Sequence, residues 1–485
     1  MLAAWRLRLR PTQGELPLAL LAGALTAVMI FATMHKLGAV GALFIPLLVP
    51  LMLALIANPL WMTGTVVGLV ILFEGPDFGL FSFGSKLYTH ATVLNVLVAL
   101  VVLSVAIDMV RKRRRLVVPF ALGLPLGTLV LGMIVGIVVG HGTGISLGKE
   151  IHSENLLMYL VFLPIAIANL DLSRAQIVRL LAALVALAVL KAFLGIVEVG
   201  GHFGVPIEGH STITYYEPTA NWMMMVALLT IVALFISDHK PALWMSLAFP
   251  LLIAAIVLSY RRSFWIGAVL AAMLVVLIGL NPGTRRLLVP SIVFVVAAIW
   301  LAGSVHFQSQ STQSESPIVH RIQSLVPSKL TTNVEDRYRL DERANVTAEI
   351  RAHPITGIGM GVPWSAAARP LSIEHEGGRL YVHFAALWYW LKLGILGFAA
   401  YLGLLIGAAL MSWKVWHSSR EPLIRAFGLA SLCGMVGLAV IETTGSFTGV
   451  DARFTVLIAA HIGGLALLSR EKGPDAPANG EDTWA

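Results

Sequence analysis

Apolar residues run along this chain in stretches close to the roughly 20 residues a helix needs to cross a bilayer, with short polar turns between them. The runs fall at 16–34, 38–57, 59–74, 92–110, 116–140, 155–170, 177–199, 219–237, 241–259, 264–280, 286–303, 384–411, 423–441 and 453–469. They predict fourteen transmembrane helices, or twelve if one early hairpin is re-entrant. Polar residues gather in one long stretch, 304–383, and in a tail, 473–485, whose Pro, Gly and Asp content reads as disordered and cytoplasmic. The expected fold class is an all-α polytopic membrane protein. It forms a single transmembrane domain over 1–485 with one long extracytoplasmic loop.

Composition removes the soluble alternative. At 57% hydrophobic and 12% charged over 485 residues, a globular domain could not cover its surface with polar groups. The first run, Leu16 to Met34, follows Arg6, Arg8 and Arg10 and is too long for a signal-peptide core, so it reads as an uncleaved span. Cys433 is the sole cysteine, which excludes an intramolecular disulfide. A net charge of +8 raises nucleic acid as a partner, but most Lys and Arg sit in short loops and mark topology instead.

With the N-terminus cytoplasmic, the inner loops hold Arg111 to Arg115, Arg174, Arg179, Lys240, Arg285, Arg286, Lys414, Arg420 and Arg425. The inner C-terminal tail holds Arg470 and Lys472. The outer segments are then 141–154, 200–218, 304–383 and 442–452. The "GKE" at 148–150 lacks the rest of a phosphate loop, so the reaction expected is extracytoplasmic and not nucleotide-driven.

One stretch breaks the charge rule. In "LSYRRSFWIG", residues 258–267, Arg261 and Arg262 fall on the outer side. Neighbours on a helix point to different faces, which makes Arg262, at the start of a span, the stronger candidate of the two. The long loop holds "DRYRLDERANVTAEIRAHPITGIGMG", residues 336–361. Leu340, Ala344, Thr347, Ala348 and Ile350 recur at helical spacing, so a helix carrying Arg339, Arg343 and Arg351 is expected, ended by Pro354. The glycines that follow permit a close backbone approach to a ligand. His383 then opens the next span.

Arginine offers planar, bidentate donors matched to phosphate, and histidine is the side chain most readily poised as a base. Arginines and a histidine at the outer surface therefore form a minimal set for glycosyl transfer from a lipid diphosphate. Glu374, His375, Glu376 and His383 invite a metal-site reading. However, their spacing matches no ligand pattern and Gly377 and Gly378 interrupt them, so neither metal nor cofactor is expected.

Four pieces of the chain resemble the superfamily of O-antigen ligases and O-antigen polymerases, bacterial membrane glycosyltransferases. "RRSFWIG" is similar to that family's arginine-bearing start of a span, with Arg262 in the matching place. "YYEPTANWMMM" (215–225) resembles its proline-asparagine entry to a span. "RLDERANVTAEIRAHPITGIGMG" resembles its long-loop helix, with Arg339 fourteen residues before His353. "HFAALWYWLKLGILG" (383–397) resembles its histidine-led helix. The chain departs from the pattern at Phe384, at Lys392 and in the 205–217 loop, where His210 stands in place of an arginine.

The resemblance implies a GT-C-like architecture in a bacterial inner membrane and an inverting, metal-independent transfer at the periplasmic face. The donor implied is an undecaprenyl-diphosphate-linked glycan, and the acceptor another lipid-linked glycan or lipid A core. His383 would be the base, and Arg262, Arg339 and Arg261 would hold the diphosphate. His210, Glu217, His353 and Tyr381 are further candidates for acceptor or sugar contacts. Polymerase and ligase are equally open. The reading from another class is a secondary transporter of fourteen spans, which should show broken helices or midplane charges in paired halves.

Overall fold

The computed structural model describes residues 52–72, 86–87, 91–146, 148, 156–201, 205–207, 210–212, 218–237, 241–259, 261–280, 334–371 and 378–470. The expected spans at 16–34 and 286–303, most of the one at 38–57, and the tail 473–485 lie outside them. The other apolar runs each contain a helix: α1 Pro59–Leu72, α2 Val93–Arg111, α3 Phe120–Gly142, α4 Leu157–Ala168, α5 Arg174–Gly201, α6 Pro218–Ile236, α7 Leu243–Leu258, α8 Arg262–Gly279, α10 Ala385–Ser418, α11 Pro422–Ile441 and α12 Ala452–Ser469. Eight of these are long and apolar enough to span a bilayer, while α1, α4 and α7 are shorter. Between α8 and α10 lies α9, Val334–Ala352, the helix expected in the long loop. The described residues also hold two small antiparallel hairpins, β1 Lys86–Leu87 with β2 Ala91–Thr92 and β3 Val205–Ile207 with β4 His210–Thr212.

The core is a helix bundle in which α10 packs on α3 and α11, α11 on α8 and α6, and α12 on α4. Small residues set the closest approaches. At Gly136 of α3 an added Cβ would meet the Lys392 carbonyl of α10 at 2.9 Å, and at Gly267 of α8 the Gly437 carbonyl of α11 at 3.0 Å. In lipid, where apolar surface does not by itself drive helices together, such backbone proximity supplies the packing energy.

Segments assigned to the same side of the membrane meet in the structure. At one end Lys112 Nζ donates to Asp171 (2.8 Å), Arg114 to the Asn169 carbonyl (2.9 Å) and Arg470 to the Ala168 carbonyl (2.5 Å). At the other end the residues before α8, α9, the start of α10 and the 442–452 turn come together.

The glycine run after α9 was expected to approach a ligand; in the structure it approaches helix backbones. Residues 355–361 lie between α3 and α10, with Ile358 N donating to Leu391 O (2.7 Å), Met360 N to Gly136 O (2.9 Å) and Ile395 N to Ile355 O (3.0 Å). The insertion interrupts α10 at Gly394, whose φ of 66° is a conformation favoured by glycine. An added Cβ there would stand 2.0 Å from Ile355 O. Lys392, fully buried two residues earlier, donates from Nζ to Val362 O and ties the end of the same segment to α10. Backbone strain of this kind costs about 1–3 kcal/mol, so Gly394→Ala should lower the thermal midpoint in detergent by several degrees. Gly64→Ala, where a Cβ meets nothing within 4 Å, should leave it unchanged or raise it.

Candidate functional site

The start of α8 separates Arg261 and Arg262 as helix geometry requires. Arg261 is the N-cap residue and lays its guanidinium over the Phe447 ring, 5.2 Å from the centroid. Arg262, the first helical residue, turns toward α9 and donates from Nη2 to both oxygens of Asp336, at 3.0 and 3.1 Å. Asp336 also faces Arg339 one turn along α9, at 3.6 Å. A single carboxylate, 8% exposed, thus stands between two guanidinium groups. It holds both in place while leaving the cluster a net cationic charge. Burying Asp336 without these partners would be costly.

The face that α9 buries shares only Ile350 with the residues that marked the segment as a helix. Leu340 is 44% exposed, and the buried positions are Asp336, Tyr338, Glu342, Asn345, Val346 and Ile350. The stripe has helical spacing, but half of it is polar because it faces a site rather than a core. Asn345 exchanges hydrogen bonds with the Arg369 backbone, Nδ2 to O at 2.8 Å and N to Oδ1 at 2.8 Å, pinning the strap that follows the glycine segment.

Glu342 is completely buried and aimed at the start of α10. Its Oε2 accepts the His383 backbone N–H at 2.9 Å and lies 2.9 Å from His383 Nδ1. With Nδ1 donating at that contact, the tautomer is fixed with the lone pair on Nε2, the nitrogen that can act as a base. Tyr381 and Tyr338 bracket the imidazole edge-on, with ring centroids at 4.7 and 5.8 Å. Burial and the Glu342 carboxylate push the Tyr381 phenol well above its ordinary range, so it stays a neutral hydrogen-bonding group.

A second buried carboxyl closes the site from α11. Glu442 accepts the Ala385 N–H on its backbone carbonyl (3.0 Å), which fixes the first turn of α10 beside His383. Its side-chain Oε1 accepts from Thr448 N (2.9 Å) and Oγ1 (2.7 Å). Burial pushes its pKa from the ordinary 4.5 up to about 8. The folded chain therefore keeps a proton here that the unfolded chain loses near pH 4.5, and stability should fall as pH rises from 4.5 to about 8. Thermal midpoints across that window should decline in the wild type relative to Glu442→Gln.

The structure thus brings together Arg261, Arg262, Arg339, Tyr381 and His383 from three separate segments. His353 is not among them. It sits exposed just past the C-terminal end of α9, about 20 Å along the axis from Arg339 at 1.5 Å per residue. His210 lies in β4 with its side chain outside the described residues, as are Glu217, Glu374, His375 and Glu376. Among the described residues no cluster of His, Cys, Asp and Glu could hold a metal. Asp336, Glu342 and Glu442 were not read as site residues. The available signals were Asp336 three residues before Arg339 and Glu342 at helical spacing from Tyr338 and Val346; Glu442 lay at a span end, where a polar residue is ordinary.

Residues 247–402 match the model of the O-antigen ligase family. The matched segment runs from within α7 to within α10 and contains Arg261, Arg262, Asp336, Arg339, Glu342, Tyr381 and His383. No curated protein matches the chain.

Proposed function

We propose that the chain, whose residues 247–402 match the O-antigen ligase family, acts as a member of that family and moves a glycan from a polyprenyl-diphosphate donor to an acceptor hydroxyl at the site between α8, α9 and α10. The observation that carries the reading is the juxtaposition of a carboxylate-oriented histidine with a guanidinium cluster. In the step proposed, His383 Nε2 takes the proton of the acceptor hydroxyl as that oxygen attacks the anomeric carbon. The bond from that carbon to the diphosphate oxygen breaks, and the electron pair leaves on polyprenyl diphosphate. Arg262 and Arg339, with Arg261 beside them, stabilise the charge that develops there. Attack opposite the leaving group inverts the anomeric centre. Guanidinium groups supply the neutralisation, so the reaction needs no metal.

Undecaprenyl diphosphate is the carrier the family reading favours, and the site would face the periplasm of a bacterial inner membrane. The test is transfer in proteoliposomes given a polyprenyl-diphosphate oligosaccharide, with and without EDTA. Expected is release of polyprenyl diphosphate at an undiminished rate in EDTA. A ladder of products identifies a polymerase, and a single addition to a second lipid identifies a ligase. Abolition by EDTA, or no donor consumed with either acceptor, would overturn the proposal.

A further inference from the structure

Toward the end of the bundle opposite His383, a cavity of about 790 Å³ opens between α1, α5, α6 and α12. Its walls are almost wholly apolar, and Gly64, Gly68 and Gly464 leave it room. Two polar atoms in the lining are exceptions. Thr63 Oγ1 and His461 Nε2 are buried, in side chains 6% and 8% exposed, and neither has a hydrogen-bond partner. A buried polar atom without a partner costs about 1–3 kcal/mol, so two facing one cavity point to an occupant that satisfies them. At the mouth, near the N-terminus of α5, stand Gln176 and the exposed Arg179. No acidic side chain among the described residues pairs with that guanidinium.

Helices α1 and α5 run parallel here, since Lys191 Nζ reaches the Leu72 carbonyl (3.4 Å) and Gly68 faces Leu187. Arg179 therefore lies level with the first turn of α1, where Trp61 is 65% exposed. Arginine and tryptophan together mark a membrane interface. This end is the one where Lys112 meets Asp171, and the site around His383 is at the other.

We infer that this cavity binds one anionic phospholipid, with its phosphate on Arg179, its chains in the apolar cleft and its ester carbonyls accepting from Thr63 Oγ1 and His461 Nε2. Polyprenyl phosphate shares the phosphate and the apolar body, but it has no ester groups to answer the polar atoms below the mouth. The site is distinct from the transfer site, and the inference does not rest on the proposed reaction.

The experiment is native mass spectrometry of the full chain taken from vesicles of equal phosphatidylglycerol and phosphatidylcholine, with polyprenyl phosphate added in a second arm. The wild type should retain one phosphatidylglycerol, about tenfold over phosphatidylcholine, as expected for one charge-assisted contact. Arg179→Ala should keep a lipid but lose the headgroup preference. Gly64→Leu with Gly464→Leu, at positions where a Cβ meets nothing within 4 Å, should fill the cleft and lose the lipid. The inference is overturned if the wild type retains no phosphatidylglycerol, if Arg179→Ala retains the same preference, or if polyprenyl phosphate displaces the bound lipid. Arg179 is exposed and its replacement leaves the fold intact, so that arm decides even if the filled variant does not fold.

Discussion

Replacing His383 by Ala should lower the rate of glycan transfer about 10³-fold or more, at the upper end of what a positioned general base contributes, while leaving donor affinity unchanged. The imidazole is 6% exposed, wedged between Tyr338 and Tyr381 and held at Nδ1 by Glu342. In the proposed step it acts at the acceptor proton and not at the diphosphate. Glu342→Gln should have a smaller effect of the same kind, about 10–100-fold, the size of loss seen when outer-shell partners that orient metal-bound histidines are removed. The loss should fall on kcat with KM for the donor little changed, and Glu342→Asp should recover part of it. A purely structural role for Glu342 would instead lower the yield of folded protein without separating kcat from KM.

Arg262→Ala should cost about 10²–10³-fold, the range seen when a preorganised donor to a developing anion is removed. Unlike His383→Ala it should also weaken donor binding. Arg262→Lys should rescue little, because Nη2 alone serves both Asp336 oxygens at 3.0 and 3.1 Å, and a single ammonium cannot hold that carboxylate and also present the further planar donors a diphosphate needs. Arg339→Ala should be milder, since its contact with Asp336 is longer, at 3.6 Å, and its side chain is 30% exposed against 14% for Arg262. Equilibrium binding of a fluorescent polyprenyl-diphosphate donor, set beside turnover, separates the two classes of variant.

What could be read from the sequence follows from what membranes forbid. Apolar runs announce helices because hydrocarbon leaves the backbone no other partner, so the runs that became α1 to α8 and α10 to α12 were visible, as was α9 with its end before Pro354. Arg261 and Arg262 stood out because the charge pattern of the loops assigns them to the side where arginine has no topological role. The carboxylates were hidden for the opposite reason. Acidic residues in a charged loop helix look like solvated surface, and nothing local to "DRYRLDERANV" says that Asp336 and Glu342 turn inward while Leu340 turns out. That depends on which face of α9 docks on α10, a tertiary fact. The glycines at 357 and 359 were misread in the same way. Their close partner is helix backbone across a packing interface, and a sequence does not reveal what a glycine approaches.

The most direct test of the central claim is a cryo-electron microscopy structure of the His383→Ala protein trapped with an intact glycan-diphosphate donor. The account predicts the diphosphate on Arg262 and Arg339, with Arg261 alongside and the anomeric carbon facing the space left by the imidazole. Density for the diphosphate away from these arginines, for instance beside Arg179 at the opposite end of the bundle, would contradict it.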